Sequence, residues 1–432
     1  MRRGLPLLFA GEGIMIPSWL FVILIIVAFI IFLILLFLII YVLFLKKKDY
    51  TPDSFFNYFL RTLSRCLFRV FGKTKVLPNN VDKLEGSFLL LANHHSALDF
   101  NYVIQVSKKK HYALVANNYY RHLPILGKMF DKAGIITKKM YYKDMATIRK
   151  ILQAKQDGYP IIIFPEASLS SDGSYNKFNL STASLVKKID IPLVLVRISG
   201  AYFIKPKWRK RFYRGETTVE VKRIISREEL QTMSKDEIDQ AIKEVLYFNE
   251  FDICNINNKA KNKAKGLENI LYLCPNCHHY YTNYSSGNDL ICHNCGAHYH
   301  LKNDYHFEEL DLPSISAYYQ KMKEIEKTHL HDFSIICPVD VKIFTDNVKK
   351  VRKEEGVIEF NSQGITYKRN DGKLTITYKI SELEGIAYSV NEEFEFYYQN
   401  DLYYFYPQEN RKLCSRIFLL YQLLKEEEYG KE

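Results

Sequence analysis

The chain has 432 residues, 47% of them hydrophobic and 25% charged, with a net charge of +12. That balance excludes a disordered chain and gives length for about three domains. The positive excess suits an anionic partner, whether nucleic acid, anionic lipid or a phosphorylated substrate.

The first segment narrows that choice. Residues 17–45, PSWLFVILIIVAFIIFLILLFLIIYVLFL, carry no charge, and Lys46, Lys47 and Lys48 follow. A bilayer core of about 30 Å needs about 20 apolar residues in a helix, so this run is long enough to span with tilt. It is too long for a signal-peptide core, and no small-residue cleavage site follows it. The three lysines place its C-terminal side in the cytoplasm. Residues 1–48 are therefore expected to be a single-pass anchor in the cell membrane, with the rest of the chain cytoplasmic. Over 49–75, Phe56, Phe59, Leu60, Leu63, Leu67, Val70 and Phe71 recur at helical spacing beside Arg61, Arg65 and Arg69. Such a helix either lies on an anionic membrane surface or packs on the next domain.

Residues 76–253 alternate between two patterns. FLLLA (88–92), YALVA (112–116), YPIIIF (159–164) and IPLVLVRI (191–198) read as buried strands. Between them lie helical stretches such as KDMATIRKILQAKQDG, with Ile148, Ile151 and Leu152 on one face and Gly158 as a stop signal. The alternation predicts an α/β fold on a largely parallel sheet flanked by helices, with ligands beyond the carboxyl ends of the strands. NHHSALD (93–99) follows one such run, and FPEAS (164–168) closes another.

His94 and Asp99 have four residues between them. In a turn entering a helix, that spacing lets the carboxylate reach the far ring nitrogen of the imidazole. The carboxylate then fixes the tautomer and leaves the other nitrogen to act as a general base. His95, with three residues before Asp99, is the rival. No serine or cysteine sits in an evident nucleophile elbow, so the proton would come from a substrate hydroxyl.

Asn93-His94-x-Ser96-x-x-Asp99 resembles the NHxSxxD motif of the glycerolipid acyltransferases, the family that includes lysophosphatidic acid acyltransferases. PILGKMFDKAGIITKK (124–139) resembles the family's second block, FPEAS its third, FPEG[TN]RS, and IPLVLV (191–196) its fourth. The resemblance covers roughly residues 76–250 and favours His94 over His95. It implies His94 as the base and Asp99 as its orienter. Ser96, Glu166 and Ser168 would lie on the acceptor side, and Lys139, or Lys138 one register away, would hold phosphate. The acyl donor would be acyl-CoA or an acyl carrier protein thioester. The acceptor would be a lysophospholipid such as 1-acylglycerol-3-phosphate, and the chemistry needs no catalytic cofactor.

The chain departs from the pattern at three places. Ala167 stands for the third-block glycine, Leu169 for its arginine, and a lysine for the second-block arginine. A guanidinium grips phosphate through two parallel hydrogen bonds, whereas an ammonium is a point charge. Other hydroxyl-bearing acceptors, a different lysophospholipid or a glycolipid, therefore stay open, with Lys177, Lys187, Lys188 or Arg197 as sources of the missing charge. The same departures motivate a second function class, a non-catalytic membrane scaffold built on an eroded acyltransferase domain.

Residues 254–268 read as a polar linker, and 269–302 as a cysteine-rich unit. Cys274 and Cys277, then Cys292 and Cys295, form two Cys-x₂-Cys pairs with fourteen residues between them. Two such knuckles close a tetrahedral Zn²⁺ site, and four sulfur ligands leave no open position, so the ion would be structural. His278, His279 and His293 are near enough to be alternative ligands. Few lysines or arginines lie in this unit, so no nucleic-acid partner is expected. GLENILYLCPNC soon after the α/β domain resembles a subgroup of bacterial acyltransferase-like proteins with such a ribbon. Cys66, Cys254, Cys337 and Cys414 read as free thiols. Residues 303–335 form a helical connector and 336–432 a β-rich domain. There LTITYKI alternates with period two behind the turn signal NDG. A last helix, about 409–427, presents Leu413, Ile417, Leu420 and Leu424 to one side. Several strands and one helix resemble a pleckstrin-homology or GRAM fold.

Overall fold

The computed structural model describes residues 72–107, 111–117, 132–139, 145–177, 181–254, 256–309, 311–345, 351–398 and 401–429, with isolated positions elsewhere. The expected membrane span and nearly all of the basic helix lie outside these residues. No helix among the described residues is long and apolar enough to cross a membrane. The helix expected over 49–75 is corrected at its far end, where Gly72–Val76 form a strand, β1. Lys73 and Lys75 point to solvent while Thr74 and Val76 are half-buried, the period-two pattern of a strand.

β1 belongs to a seven-stranded sheet with β2 (Leu89–Ala92), β3 (Ala113–Asn117), β4 (Ile136–Lys138), β5 (Ile161–Ile163), β6 (Leu193–Ser199) and β7 (Gly215–Ile225). The order is β1-β7-β6-β2-β5-β3-β4, and only the β6–β7 pairing is antiparallel. The apolar runs are continuous because both faces are covered. On one face Leu89, Leu91, Leu193 and Leu195 pack against Ile151, Val186 and Ile242. These come from α2 (Met145–Gln156), α3 (Ser181–Ile189) and α6 (Lys235–Leu246); α1 (Asp99–Val103) precedes them, and α4 (Ala201–Ile204) and α5 (Arg227–Thr232) lie between α3 and α6. On the other face Leu90, Ala92, Val194 and Val196 meet Tyr102, Val103 and Ile204. A capping box between Ser234 and Glu237 fixes the start of α6, and α7 (Glu250–Ile253) closes this part of the chain.

The expected linker is packed rather than free. Ala264 and Leu267 are buried, and the buried Lys263 Nζ donates to Ala260 O and Asn303 Oδ1, 3.3 Å each. A small antiparallel sheet follows, β8 (Asn283–Ser286), β9 (Asp289–Cys292) and β10 (His298–His300). After α8 (Ile315–Thr328) comes an antiparallel half-barrel of seven strands. They are β11 (Ser334–Phe344), β12 (Arg352–Asn361), β13 (Gly364–Arg369), β14 (Thr375–Lys379), β15 (Ala387–Tyr388), β16 (Phe394–Tyr398) and β17 (Asp401–Pro407), in the order β14-β13-β12-β11-β17-β16-β15. The last helix, α9, runs Leu413–Tyr429. Ile417, Leu420 and Leu424 are buried as the stripe predicts, but so are Phe418, Leu419 and Leu423. α9 is buried more widely because the half-barrel takes one side and α8 takes another.

The half-barrel sits over the carboxyl ends of the parallel strands. Ser171 Oγ and Tyr388 Oη meet at 2.7 Å in a buried contact, and Ser316 Oγ donates to Asp172 Oδ2 at 3.1 Å. Asn117 Nδ2, at the end of β3, donates to Glu395 Oε1 at 3.3 Å.

Candidate active site

β2 and β5 are neighbours in register, Leu91 opposite Ile163, so NHHSALD and FPEAS leave the sheet side by side. Asn93 locks the first turn to β6: its Nδ2 donates to Ile198 O at 2.9 Å, and Ile198 N donates to its Oδ1 at 2.7 Å. His94 Nδ1 lies 3.0 Å from Asp99 Oδ2 at the start of α1. A carboxylate only accepts, so Nδ1 carries the proton and Nε2 keeps the lone pair. Asp99 is buried, and its Oδ2 also accepts Ser96 N at 2.8 Å. Burial pushes its carboxyl up, and the His94 hydrogen bond opposes this.

FPEAS and the turn after it hold the histidine from three directions. The Phe164 ring stacks on the His94 ring with centroids 4.4 Å apart. Glu166 Oε1 accepts His94 N at 2.8 Å, and its Oε2 accepts Asn176 N at 2.9 Å. Ser170 N donates to His94 O at 2.9 Å. Ala167 has φ 60, the left-handed backbone that glycine takes without strain. The alanine thus makes the turn for which the family pattern uses glycine.

His95 is placed differently. It is buried, with Nδ1 3.1 Å from Glu250 Oε1, and its Nε2 has no hydrogen-bond partner among the described residues. Burial alone would lower its pKa. The hydrogen bond to Glu250 and the charges of Glu166, Glu250 and Asp99 raise it instead, to about 9. Glu250 is itself held, accepting Gly200 N at 2.8 Å and the Cys254 thiol at 3.0 Å.

His94 opens on a cleft of about 2650 Å³ between the first sheet and the half-barrel. Lys138 and Ser168 line it with His94. Ser96 is sealed in the turn, its hydroxyl donating to Lys205 O at 2.9 Å and accepting Leu98 N. Glu166 also lines the cleft, with each of its oxygens accepting one main-chain amide. Lys139 lies with its Nζ 5.8 Å from the Tyr397 ring centroid. Of the four alternative cations, Lys177 pairs with Glu426 at 3.4 Å and Lys187 donates to the carbonyls of Leu230 and Gln231. Arg197 caps the end of α6 through Val245 O and Glu244 O, while Lys188 lines the cleft.

Sequence reasoning missed Lys207, whose Nζ donates to Ser168 Oγ at 3.2 Å. Its signal was the run KPKWRKRFYR (205–214), six cations in ten residues, which carries no motif.

The two cysteine knuckles are built alike. Cys274 N donates to His279 O and His278 N to Cys274 O; Cys292 N donates to Ala297 O and Gly296 N to Cys292 O. The four Sγ atoms lie within 4.8 Å of one another, with Cys274–Cys295 at 3.8 Å and Cys277–Cys292 at 3.7 Å. A tetrahedron with Zn–S near 2.3 Å has edges of about 3.8 Å, so the set fits the ion. His279 Nδ1 lies 2.9 Å from Cys277 O, and His293 stacks on Tyr284, so both rings are engaged elsewhere.

The family model described as Acyltransferase matches residues 69–199, which contain both turns of the site. This part of the chain is an acyltransferase-family domain. No curated protein matches the chain. Among solved structures, the crystal structure of the 1-acyl-sn-glycerophosphate (LPA) acyltransferase PlsC from Thermotoga maritima is similar, at 19% identity and a TM-score of 0.40. That match covers 48% of this chain and 84% of the other.

Proposed function

We propose that the protein is a membrane-bound O-acyltransferase of phospholipid biosynthesis. It would move a fatty acyl group from acyl-CoA or an acyl carrier protein to a hydroxyl of a lysophospholipid such as 1-acylglycerol-3-phosphate. The observation that carries this reading is the His94–Asp99 pair, which leaves Nε2 basic at the mouth of a cleft beyond the strand ends. His94 Nε2 takes the acceptor proton as the acceptor oxygen bonds to the thioester carbonyl carbon. The C–S bond then breaks, and the imidazolium returns the proton to the departing thiolate. Asp99 orients the ring and stabilises its cationic form. Glu166 is a positioning residue that fixes the backbone of His94, and Ser168 stands on the acceptor side with Lys138.

The uncharged run 17–45 supports a single-pass anchor that holds the cleft at the cytoplasmic face, where the lipid acceptor lies. Cys274, Cys277, Cys292 and Cys295 would hold a structural Zn²⁺, and the antiparallel strands closed by α9 support a pleckstrin-homology-like or GRAM-like reading of the last unit.

Acyl transfer by the purified chain in mixed micelles tests this, with both donor types and a panel of lysolipid acceptors. His94→Ala is expected to lower kcat by about 10²–10⁴ with its fold intact. His95→Ala is expected to act through stability. Absence of product from folded, metal-loaded wild type with every acceptor would favour the scaffold reading, which the altered third motif motivates.

A further inference from the structure

The half-barrel turns an acidic wall, Glu384, Glu392, Glu393 and Glu395, toward the cleft, and the first domain faces it with cations. Lys207 lies where the two walls meet. Its Nζ donates to Ser168 Oγ, lies 3.4 Å from the Tyr388 ring centroid and 5.2 Å from that of Phe418. No carboxylate among the described residues lies within ion-pair distance of it. Glu395 is turned to Asn117, at 3.3 Å.

Burial pulls the Lys207 ammonium down to about 7, against the charges of Glu395 and Glu393. A half-buried ammonium without a contacting counter-charge is costly unless an anion completes it. Lys207 is joined to the site through one short chain of contacts. Ser168 follows Glu166 by two residues, and Glu166 holds the backbone of His94.

We propose that Lys207, beside Ser168, is the anion-recognising residue of this cleft and takes a phosphate group of the substrate. It supplies, from a different loop, the charge that Leu169 cannot. This rests on the acyltransferase reading only in naming the phosphate's source, which is either the acceptor's headgroup or the phosphates of the thioester donor.

Binding to the full chain in detergent, without turnover, tests the proposal. The probes are an ether-linked lysophosphatidate, the corresponding phosphate-free alkylglycerol, and free coenzyme A. A charge-assisted hydrogen bond lost to Lys207→Gln should weaken one phosphate-bearing probe at least about tenfold and leave the alkylglycerol unchanged. Lys207→Arg should keep most of the affinity, and Lys353→Gln, exposed on β12, should change nothing. A loss for lysophosphatidate places the acceptor at Lys207, and a loss for coenzyme A places the donor there. Equal weakening of the alkylglycerol, or no weakening of either phosphate probe by folded Lys207→Gln, would overturn the proposal. Because no product is needed, the two readings can fail separately. Phosphate binding that depends on Lys207 in a protein without acyl transfer sinks the enzyme reading alone. Transfer with binding indifferent to Lys207 sinks this one alone.

Discussion

At the scale of residues, adjacent histidines do opposite work because one faces a cleft and the other a core. His94 keeps a free ring nitrogen at the surface of the site. His95 is enclosed with Glu250, which also accepts Gly200 N and the Cys254 thiol. The folded-state pKa of His95, near 9, lies above the ordinary value of 6.5. The stabilisation it contributes is therefore complete below pH 6.5 and fades as pH rises through 9. By linkage it amounts to about 3 kcal/mol. Denaturant melts from pH 6 to 9.5 should show that loss in the wild type and a flatter profile in His95→Gln. A wild-type profile flat across that range would mean that the folded protein holds the His95 proton no more tightly than the unfolded chain does. The His94–Asp99 spacing was legible because both groups sit in one turn. The choice between the two histidines came from the resemblance and not from the turn's own chemistry, since Glu250 lies 155 positions away and leaves no local trace.

At the scale of elements, the repeated knuckle shows what spacing can and cannot convey. Two Cys-x₂-Cys pairs announced a metal site, and the matched hydrogen bonds and sulfur separations fit one. The backbone cost was hidden. The residue after each second cysteine is left-handed, Gly296 at φ 73 and His278 at φ 57, and only the glycine does this without strain. His278 is exposed, so little packing is lost by removing its side chain. His278→Gly should raise the stability of the metal-loaded protein by up to about 1 kcal/mol, and Gly296→Ala should lower it by about 1–2 kcal/mol. Thermal melts of both variants check the pair, and a destabilised His278→Gly would show that its ring is needed. The strands of the first sheet were legible for the opposite reason, since burial on both faces writes itself as unbroken apolar runs. β1 was not, because an edge strand with lysines at alternate positions carries no such run.

At the scale of the whole molecule, the chain reads as separate units but folds around shared ones. The linker's composition is polar, yet one continuous core runs from Tyr202, Phe203 and Trp208 through Leu271 and Leu273 of the cysteine-rich unit to Phe405 and Leu420. Buried Glu326 on α8 accepts Arg416 Nε of α9 at 2.9 Å and Tyr280 Oη of the cysteine-rich unit at 3.2 Å. The Arg416 guanidinium lies 3.8 Å from the centre of the Tyr280 ring. Such joins pair residues far apart in sequence, and no periodicity records them. The two cores of the first sheet are separate from this one. Losing the metal should therefore loosen the cysteine-rich unit and the half-barrel together, while the first sheet stays closed. After chelation, limited proteolysis read by mass spectrometry should gain cuts in both 269–302 and 336–429, with strands β2, β5 and β6 still protected. Tyr388 and the acidic wall belong to the half-barrel, so the same treatment should weaken ligand binding in the cleft although the metal site lies outside it. Cuts confined to 269–302, with binding intact, would mean that the shared core does not couple the two units.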